Sequence, residues 1–215
     1  MLIEEAAWIG RQLGQLDVDQ LSPMLDLGSS TRVFRTVEQP YIDSMIFAPL
    51  AKRGCDVKHV DIKLADGVDL VADIFNEQDY QRLIAVQPKS IICGSLLEHI
   101  PNPGATIKRI FGLLPKGGVL LLTVPYSFPR HADPIDTMFR PSAAALSGLL
   151  GEQDVRRCEV VTGRTLIGEL LTRRSMRSAG EPVLGRGWKL RPQVLYHLLW
   201  LWRPYRITCA LAVKR

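Results

Sequence analysis

The chain has 215 residues, is 47% hydrophobic and carries a formal charge of +5, which is enough apolar chain to bury one full core and too little polarity for disorder. Its longest apolar runs, Val119–Val124 and Val194–Trp202 with His197 inside it, fall well short of the roughly 20 residues that span a bilayer. Cys55, Cys93, Cys158 and Cys209 lie far apart with no CxxC pair, which excludes the usual zinc spacings, predicts reduced buried thiols and leaves no metal site to expect.

The segments read in chain order as alternating helices and strands. Residues 1–22 form an amphipathic helix, with Leu2, Ala6, Ile9, Leu13 and Leu16 on one face; its acidic start is unlike a signal peptide, so the chain is expected in the cytoplasm. Met24–Leu27 is a short first strand running into Gly28-Ser29-Ser30. Tyr41–Arg53 is helical and stopped by Gly54. Val57–Ile62 and Val68–Ala72 are the second and third strands, and Glu77–Val86 is a helix ended by Pro88. A fourth strand at Ile91–Cys93, a helical pattern at Ile107, Ile110, Phe111 and Leu114, a Lys-Gly-Gly turn and an apolar strand ending at Pro125 follow. Uncharged strands alternating with helices are the pattern of a buried, mostly parallel sheet. Beyond it come a polar loop at Tyr126–Pro141, a helix at Pro141–Leu150, a sixth strand at Val155–Val161, a helix at Leu166–Arg174 and a last strand at Ile207–Val213. The prediction is one α/β domain over residues 1–215, a doubly wound seven-stranded sheet with helices on both faces. Its parts are an N-terminal helix (1–22), a ligand-binding half (24–125), and a loop and C-terminal half (126–215).

In such a sheet the ligand lies beyond the carboxyl ends of the strands. Three acids stand at predicted strand ends there: Asp26, Asp61 and Asp73. Each is the residue type that accepts hydroxyl or amino protons, and each alone could equally be a strand-end or helix-capping acid. The stretch SIICGSLLEHIPNPGATIKRIFGLLPKGGVLLLTVP from Ser90 to Pro125 resembles the class I S-adenosylmethionine-dependent methyltransferases, whose fourth and fifth strands carry LEH, then LLKPGG and a strand ending in Pro. The family's first loop reads Asp/Glu-x-Gly-x-Gly-x-Gly. Here Asp26 and Gly28 match it, while Ser30 and Arg32 stand at the second and third glycines. Arg32 puts bulk and charge where the next helix packs. The resemblance implies a Rossmann-like methyltransferase fold that binds S-adenosylmethionine. It implies that Asp26, Gly28 and Ser30 line the methionine, that Asp61 with Ile62 accepts the ribose hydroxyls, that Asp73 with Ile74 receives adenine, and that the backbone at Cys93 closes the site. The separation of Gly28 from Asp61 exceeds the ~20 residues of a compact dinucleotide motif, and an insertion around Glu38–Asp43 accounts for it.

Tyr126–Pro141 resembles the P-x-H-x-x-P-x-D-x-x-R loop of methyltransferase-like proteins from glycan and lipid biosynthesis clusters, with Pro129, His131, Pro134, Asp136 and Arg140 in register. The resemblance implies a transferase acting on an oxygen or nitrogen of a small, anionic or glycan-linked acceptor. His131 would be the general base, oriented by Asp136, with Tyr126, Arg140 and His99 on the acceptor side. Equally, Asp136 and Arg140 form a salt bridge that pins the loop, and His99 packs and caps. A methyltransferase-like scaffold that no longer binds cofactor is the other reading of Ser30 and Arg32. Residues 151–215 hold 13 of the 27 Lys and Arg but 5 of the 22 Asp and Glu, a basic third without the aromatic interleaving of a nucleic-acid site. Residues 191–206 read as a helix rich in Leu and Trp, suited to a bilayer interface, to the sheet or to a dimer contact.

Overall fold

Four consecutive buried residues, Met24–Leu27, make β1, the strand on which the sheet is built. It pairs in parallel with β2 (Val57–Asp61) on one side and β4 (Ser90–Gly94) on the other. Outward from β2 lies β3 (Leu70–Val71); outward from β4 lies β5 (Val119–Ser127), both parallel to their neighbours. Two further strands, β6 (Asp154–Thr162) and β7 (Arg206–Val213), complete the order β3-β2-β1-β4-β5-β7-β6. The seven strands are as expected, but the sheet is mixed: β7 runs antiparallel to both β5 and β6. The structure is a computed structural model and describes residues 1–130, 135–165, 200 and 202–215. The expected helix at 166–174, His131, and all of 191–206 except residue 200 and residues 202–206 lie outside the described residues.

Alternation along each strand sends side chains into two cores, one per face. Met24, Ile92, Leu121 and Cys209 join α1 (Ile3–Gly14) and the helical run ending in Leu50 on one face. Leu25, Ile91, Cys93, Leu120 and Leu122 join α5 (Glu77–Ala85), α6 (Pro103–Leu113) and α7 (Ala143–Leu150) on the other. Burial pushes the Cys93 and Cys209 thiols well up, in keeping with inert core cysteines.

The helices start where the sequence supplies an oxygen for free backbone N–H groups. Asn76 accepts from Gln78 and Asp79, Asn102 from Ala105 with Pro103 at the first position, and Ser142 from Ala145. The last explains why α7 begins two residues past the expected Pro141. The single helix expected over 1–22 is two: Asp17 caps a short α2 (Val18–Leu21). The run expected at Tyr41–Arg53 starts earlier and is irregular. It contains α3 (Pro40–Ile42) and α4 (Ala48–Lys52), with π-turns at Phe34–Glu38 and Asp43–Phe47. Each π-turn closes over an extra residue, so the added length between Gly28 and Asp61 is absorbed here. Pro125 falls inside β5, past the last residue paired with β4 and at the irregularity in the pairing with β7, where a missing N–H is tolerated.

Chain order reverses at β1: β2 and β3 continue to one side, β4 and β5 to the other. The crevice for a ligand therefore opens beyond the carboxyl ends of β1 and β4. Among the described residues no helix is long and apolar enough to cross a membrane. Of the settings open to residues 191–206, Trp200 and Tyr205 take packing against the sheet and are buried in the first core, whereas Trp202 is 81% exposed.

Candidate cofactor and acceptor site

The loop after β1 is shaped by two positive φ values, Gly28 at 76° and Ser30 at 56°. A Cβ on Gly28 would come within 3.2 Å of Leu96 Cδ1, so only glycine lets the backbone lie this close to the turn after β4. The N–H groups of Gly28 and Ser29 donate to the Val60 carbonyl at 2.9 and 3.0 Å, and Ser30 N–H donates to Asp61 Oδ2 at 2.9 Å. Small Ser30 in a left-handed conformation does what the second glycine of the motif would do. Arg32 does not crowd the loop. Its side chain is 65% exposed and pairs with Asp66, and the close approach has moved to Gly67 at φ 82°. A Cβ there would sit 2.6 Å from Arg32 Cβ and 2.8 Å from Arg32 N.

Beneath the loop lies a residue that sequence inspection missed. Arg35 is 5% exposed and donates from Nη1 to the carbonyls of Ser29 and Ser30, both at 2.8 Å, and from Nη2 to that of Gly67 at 2.7 Å. One rigid guanidinium fork thus clamps the β1 loop to the β2–β3 connection. Its signal was weak, a lone Arg in an irregular helical run.

The three strand-end acids have different surroundings. Asp61 accepts from Ser30 N–H through Oδ2 and from Lys63 N–H through Oδ1 at 3.1 Å. Each oxygen keeps a lone pair for a hydroxyl donor. Asp73 is exposed at the end of β3 and accepts from Phe75 N–H; Ile74 is half-buried and Ile62 is 67% exposed beside Asp61. Asp26, in contrast, is turned inward. Its Oδ2 meets His59 Nδ1 at 2.8 Å, so it braces β1 against β2 below the loop instead of facing the crevice. The Cys93 side chain is likewise in the core, leaving only its backbone toward the site. A Gly28 cradle, an anchored Ser30 and an Asp61 with free lone pairs fit the sugar and amino-acid parts of S-adenosylmethionine.

On the other side of β4, a cavity of about 190 Å³ lies between α1 and the ends of β4, β5 and β7. Glu5, Gln39, Ser95, Glu98, Phe128 and Tyr205 line it. Glu5 is fully buried; its Oε2 accepts from Leu2 N–H and its Oε1 from the hydroxyls of Thr123 and Ser95. Glu98 is also fully buried, yet neither carboxylate oxygen has a hydrogen-bond partner among the described residues. Burial pushes its carboxyl up to about 7; the turn's own backbone N–H and Arg140 oppose this, and Glu5 and Asp136 add to it. His99 Nε2 lies 3.8 Å from Glu98 Oε1, while His99 Nδ1 meets the Ile135 carbonyl at 2.5 Å.

Of the two readings of the loop at 126–141, the structure shows the salt bridge that pins it. Asp136 and Arg140 make a buried ion pair at 2.7 Å, and Thr137 N–H and hydroxyl both donate to the Glu98 carbonyl. These contacts pin the loop onto the Leu97–His99 turn, so Arg140 is engaged with Asp136. Tyr126 is 37% exposed and does not line the cavity; Phe128 does. His131 lies outside the described residues, so its alignment with Asp136 is not part of the described site. Glu5 and Glu98 were missed as site residues although a signal existed. Glu5 falls on the helix face of Leu2, Ala6 and Ile9, an acid on a buried stripe, and Glu98 sits inside the LEH motif.

Residues 9–170 match the model of a family described as a methyltransferase domain. No sequence among curated proteins matches the chain. Among solved structures, coclaurine N-methyltransferase bound to N-methylheliamine and S-adenosylhomocysteine superposes with a TM-score of 0.60 at 18% identity, covering 98% of this chain and 72% of the other. Phosphoethanolamine N-methyltransferase 2 from Haemonchus contortus, in complex with S-adenosylmethionine, gives 0.51 at 13% identity over 97% of this chain and 52% of that one. The [4+2]-cyclase SpnF gives 0.51 at 14% identity over 95% and 81%; one fold thus carries more than one reaction, and the family match decides between them. With that match spanning most of the chain, the protein belongs to the class I S-adenosylmethionine-dependent methyltransferases and is an enzyme of that kind.

Proposed function

We propose that the chain methylates an oxygen or nitrogen of a small-molecule acceptor held in the cavity between α1 and β5, with the cofactor lying over Gly28–Ser30. The observation that carries this reading is Asp61, fixed by Ser30 N–H at the end of β2 with a lone pair free on each oxygen. Asp61 accepts the ribose hydroxyls, Asp73 with Ile74 receives the adenine, and the Gly28 and Ser30 backbone borders the methionine. S-adenosylmethionine supplies an activated methyl group, so the protein contributes positioning and the removal of a proton from the acceptor. Thr137, His99 and the Asp136–Arg140 pair hold the loop that covers the acceptor. The inward turn of Asp26 makes it a support of this site, not a ligand. The outward turn of Arg32 removes the reason to regard the loop as unable to bind, so a scaffold without cofactor has no observation in its favour.

Calorimetric titration with S-adenosylmethionine and S-adenosylhomocysteine tests the reading, with Asp61→Ala as the comparison. Removing the acceptor of two hydroxyl hydrogen bonds to a charged group, at about 1.5–3 kcal/mol each, weakens binding by roughly 10²- to 10⁴-fold. Equal affinity in the variant, or no heat in the parent at millimolar ligand, overturns it.

A further inference from the structure

The cavity assigned above to the methyl acceptor is lined by two buried carboxylates, Glu5 and Glu98, whose chemistry that reading does not specify. We propose that it is a cation site, in which Glu98 and Glu5 bind the ammonium group of a small amine, and that Glu98 takes a proton from that amine. Taking the amine as the methyl acceptor rests on the proposed function; the binding of the amine does not.

Three separate observations converge here. The first is an unsatisfied carboxylate: Glu98 is fully buried and both of its oxygens lack hydrogen-bond partners among the described residues. A buried acid left unpaired costs folding free energy, and an N–H donor in the cavity it lines would satisfy it. The second is Gln39, whose Oε1 is buried, unpartnered and on the same cavity wall. Gln39 reaches the cavity from the other side of α1, through a break between π-turn and helix where its φ and ψ are −130° and 65°. The third is aromatic: Phe128 and Tyr205 line the cavity with ring centroids 4.7 Å apart. Carboxylates and ring faces around one small space are the groups that recognise an ammonium ion. Among the described residues no Lys or Arg side chain lines the cavity, whose fixed charges are Glu5, Glu98 and the amino terminus of Met1, so its two acids favour a cation over the anionic acceptor that the sequence resemblance implied.

The charged and titratable groups around Glu98 are Glu5 from α1, the amino terminus of Met1 before it, Asp136 and Arg140 from the covering loop, His99 on its own turn, Cys93 on β4 and Tyr205 before β7. Arg140 is held by Asp136 and the Cys93 thiol stays protonated. Glu98 is therefore a buried carboxyl that changes charge near neutrality. As a carboxylate it binds the ammonium. Its oxygen then takes one proton from nitrogen, the N–H bond breaks as the O–H bond forms, and the amine keeps its lone pair.

The test is calorimetric titration with benzylamine, protonated throughout the range used, and with benzoate as the anion of similar shape. Both are run on the free protein and on protein saturated with S-adenosylhomocysteine. Benzylamine is expected to bind both forms and benzoate neither. Affinity should rise about tenfold from about pH 6 to about pH 8, as a carboxyl titrating near 7 ionises. Glu98→Gln should bind at least tenfold more weakly and without that pH dependence, and Gln39→Leu, which leaves the acids in place, should bind more weakly with it. Preference for benzoate, unchanged affinity in Glu98→Gln, or displacement of benzylamine by S-adenosylhomocysteine each overturns the proposal, the last by assigning the cavity to the cofactor. Failure of S-adenosylhomocysteine to bind, with benzylamine binding intact, sinks the proposed function and leaves the cation site standing.

Discussion

Arg35 gives the sharpest test of how the cofactor loop is held. Its guanidinium makes three charge-assisted hydrogen bonds to the carbonyls of Ser29, Ser30 and Gly67, each worth about 1.5–3 kcal/mol in a buried setting. They do not simply add. Ser30 and Gly67 are half-buried, so water can replace the lost donor there, whereas Ser29 is 5% exposed and its carbonyl would be left bare. Arg35→Met, which keeps the stem and removes the charge, should therefore cost about 1.5–3 kcal/mol, the range for leaving one buried acceptor unsatisfied. For a chain of this length that is a fall in Tm of roughly 3–12 °C. Because the same bonds hold Ser29 and Ser30 in place, the affinity for S-adenosylhomocysteine should fall by about tenfold or more beyond any unfolding. Arg35→Lys should lie between, since one ammonium cannot span three carbonyls arranged for a fork. Thermal unfolding followed by calorimetry at a temperature below both transitions measures the two effects separately. A Tm loss under about 3 °C together with unchanged affinity would refute the clamp.

Two further outcomes follow from the acceptor side. Asp136→Ala and Arg140→Ala should each destabilise by about 3–5 kcal/mol, since either leaves a buried charge unpaired; the double variant should lose less than the sum, and denaturant midpoints of the three check it. Glu98 has a folded pKa of about 7, raised above that of an unfolded Glu, so its favourable contribution is complete below about pH 4.5 and is lost as pH rises through about 7. Glu98→Gln should accordingly gain on the parent by about 3 kcal/mol between pH 4.5 and pH 8, and parallel stability curves across that range would contradict the assignment.

What could be read from the chain follows the range over which each contact acts. Strand–helix alternation is local, so all seven strands were legible, and the positions of Gly28, Asp61 and Asp73 at or just past strand ends could be read with them. The direction of β7 was not legible, because Ile207–Val213 is apolar in the same way whichever way it runs. Asp26 looked like its neighbours in sequence and was separated from them only by His59, 33 residues away and brought alongside by the β1–β2 register. Arg32 appeared to block the loop because the glycine that makes room for it, Gly67, lies across a turn from β2. The cavity was the least legible feature. Glu5, Gln39, Glu98 and Tyr205 come from α1, a break between π-turn and helix, the turn after β4 and the approach to β7, and no spacing rule connects them.

The two halves of the site touch at the end of β4. A Cβ on Gly94 would lie 3.2 Å from Met1 Cε, 3.4 Å from Thr123 Oγ1 and 3.9 Å from Glu5 Oε1. The next residue, Ser95, has a φ of 49° and donates its hydroxyl to Glu5. On one side of this strand end stands the loop held by Arg35 and Asp61; on the other stands the cavity that Glu98 and Glu5 share. The backbone between them is in a conformation that few side chains tolerate, and it is fixed by Ser95 N–H donating to the Thr123 carbonyl at 3.0 Å. In the proposed function, cofactor and acceptor would be placed by this one turn rather than by two independent surfaces. Positioning of this kind is the contribution a protein can make when the cofactor already carries the reactive methyl group. The two sides differ in their polar groups: the loop half offers backbone N–H groups and Asp61, with Asp26 turned to His59, and the cavity half offers the buried carboxyls of Glu5 and Glu98.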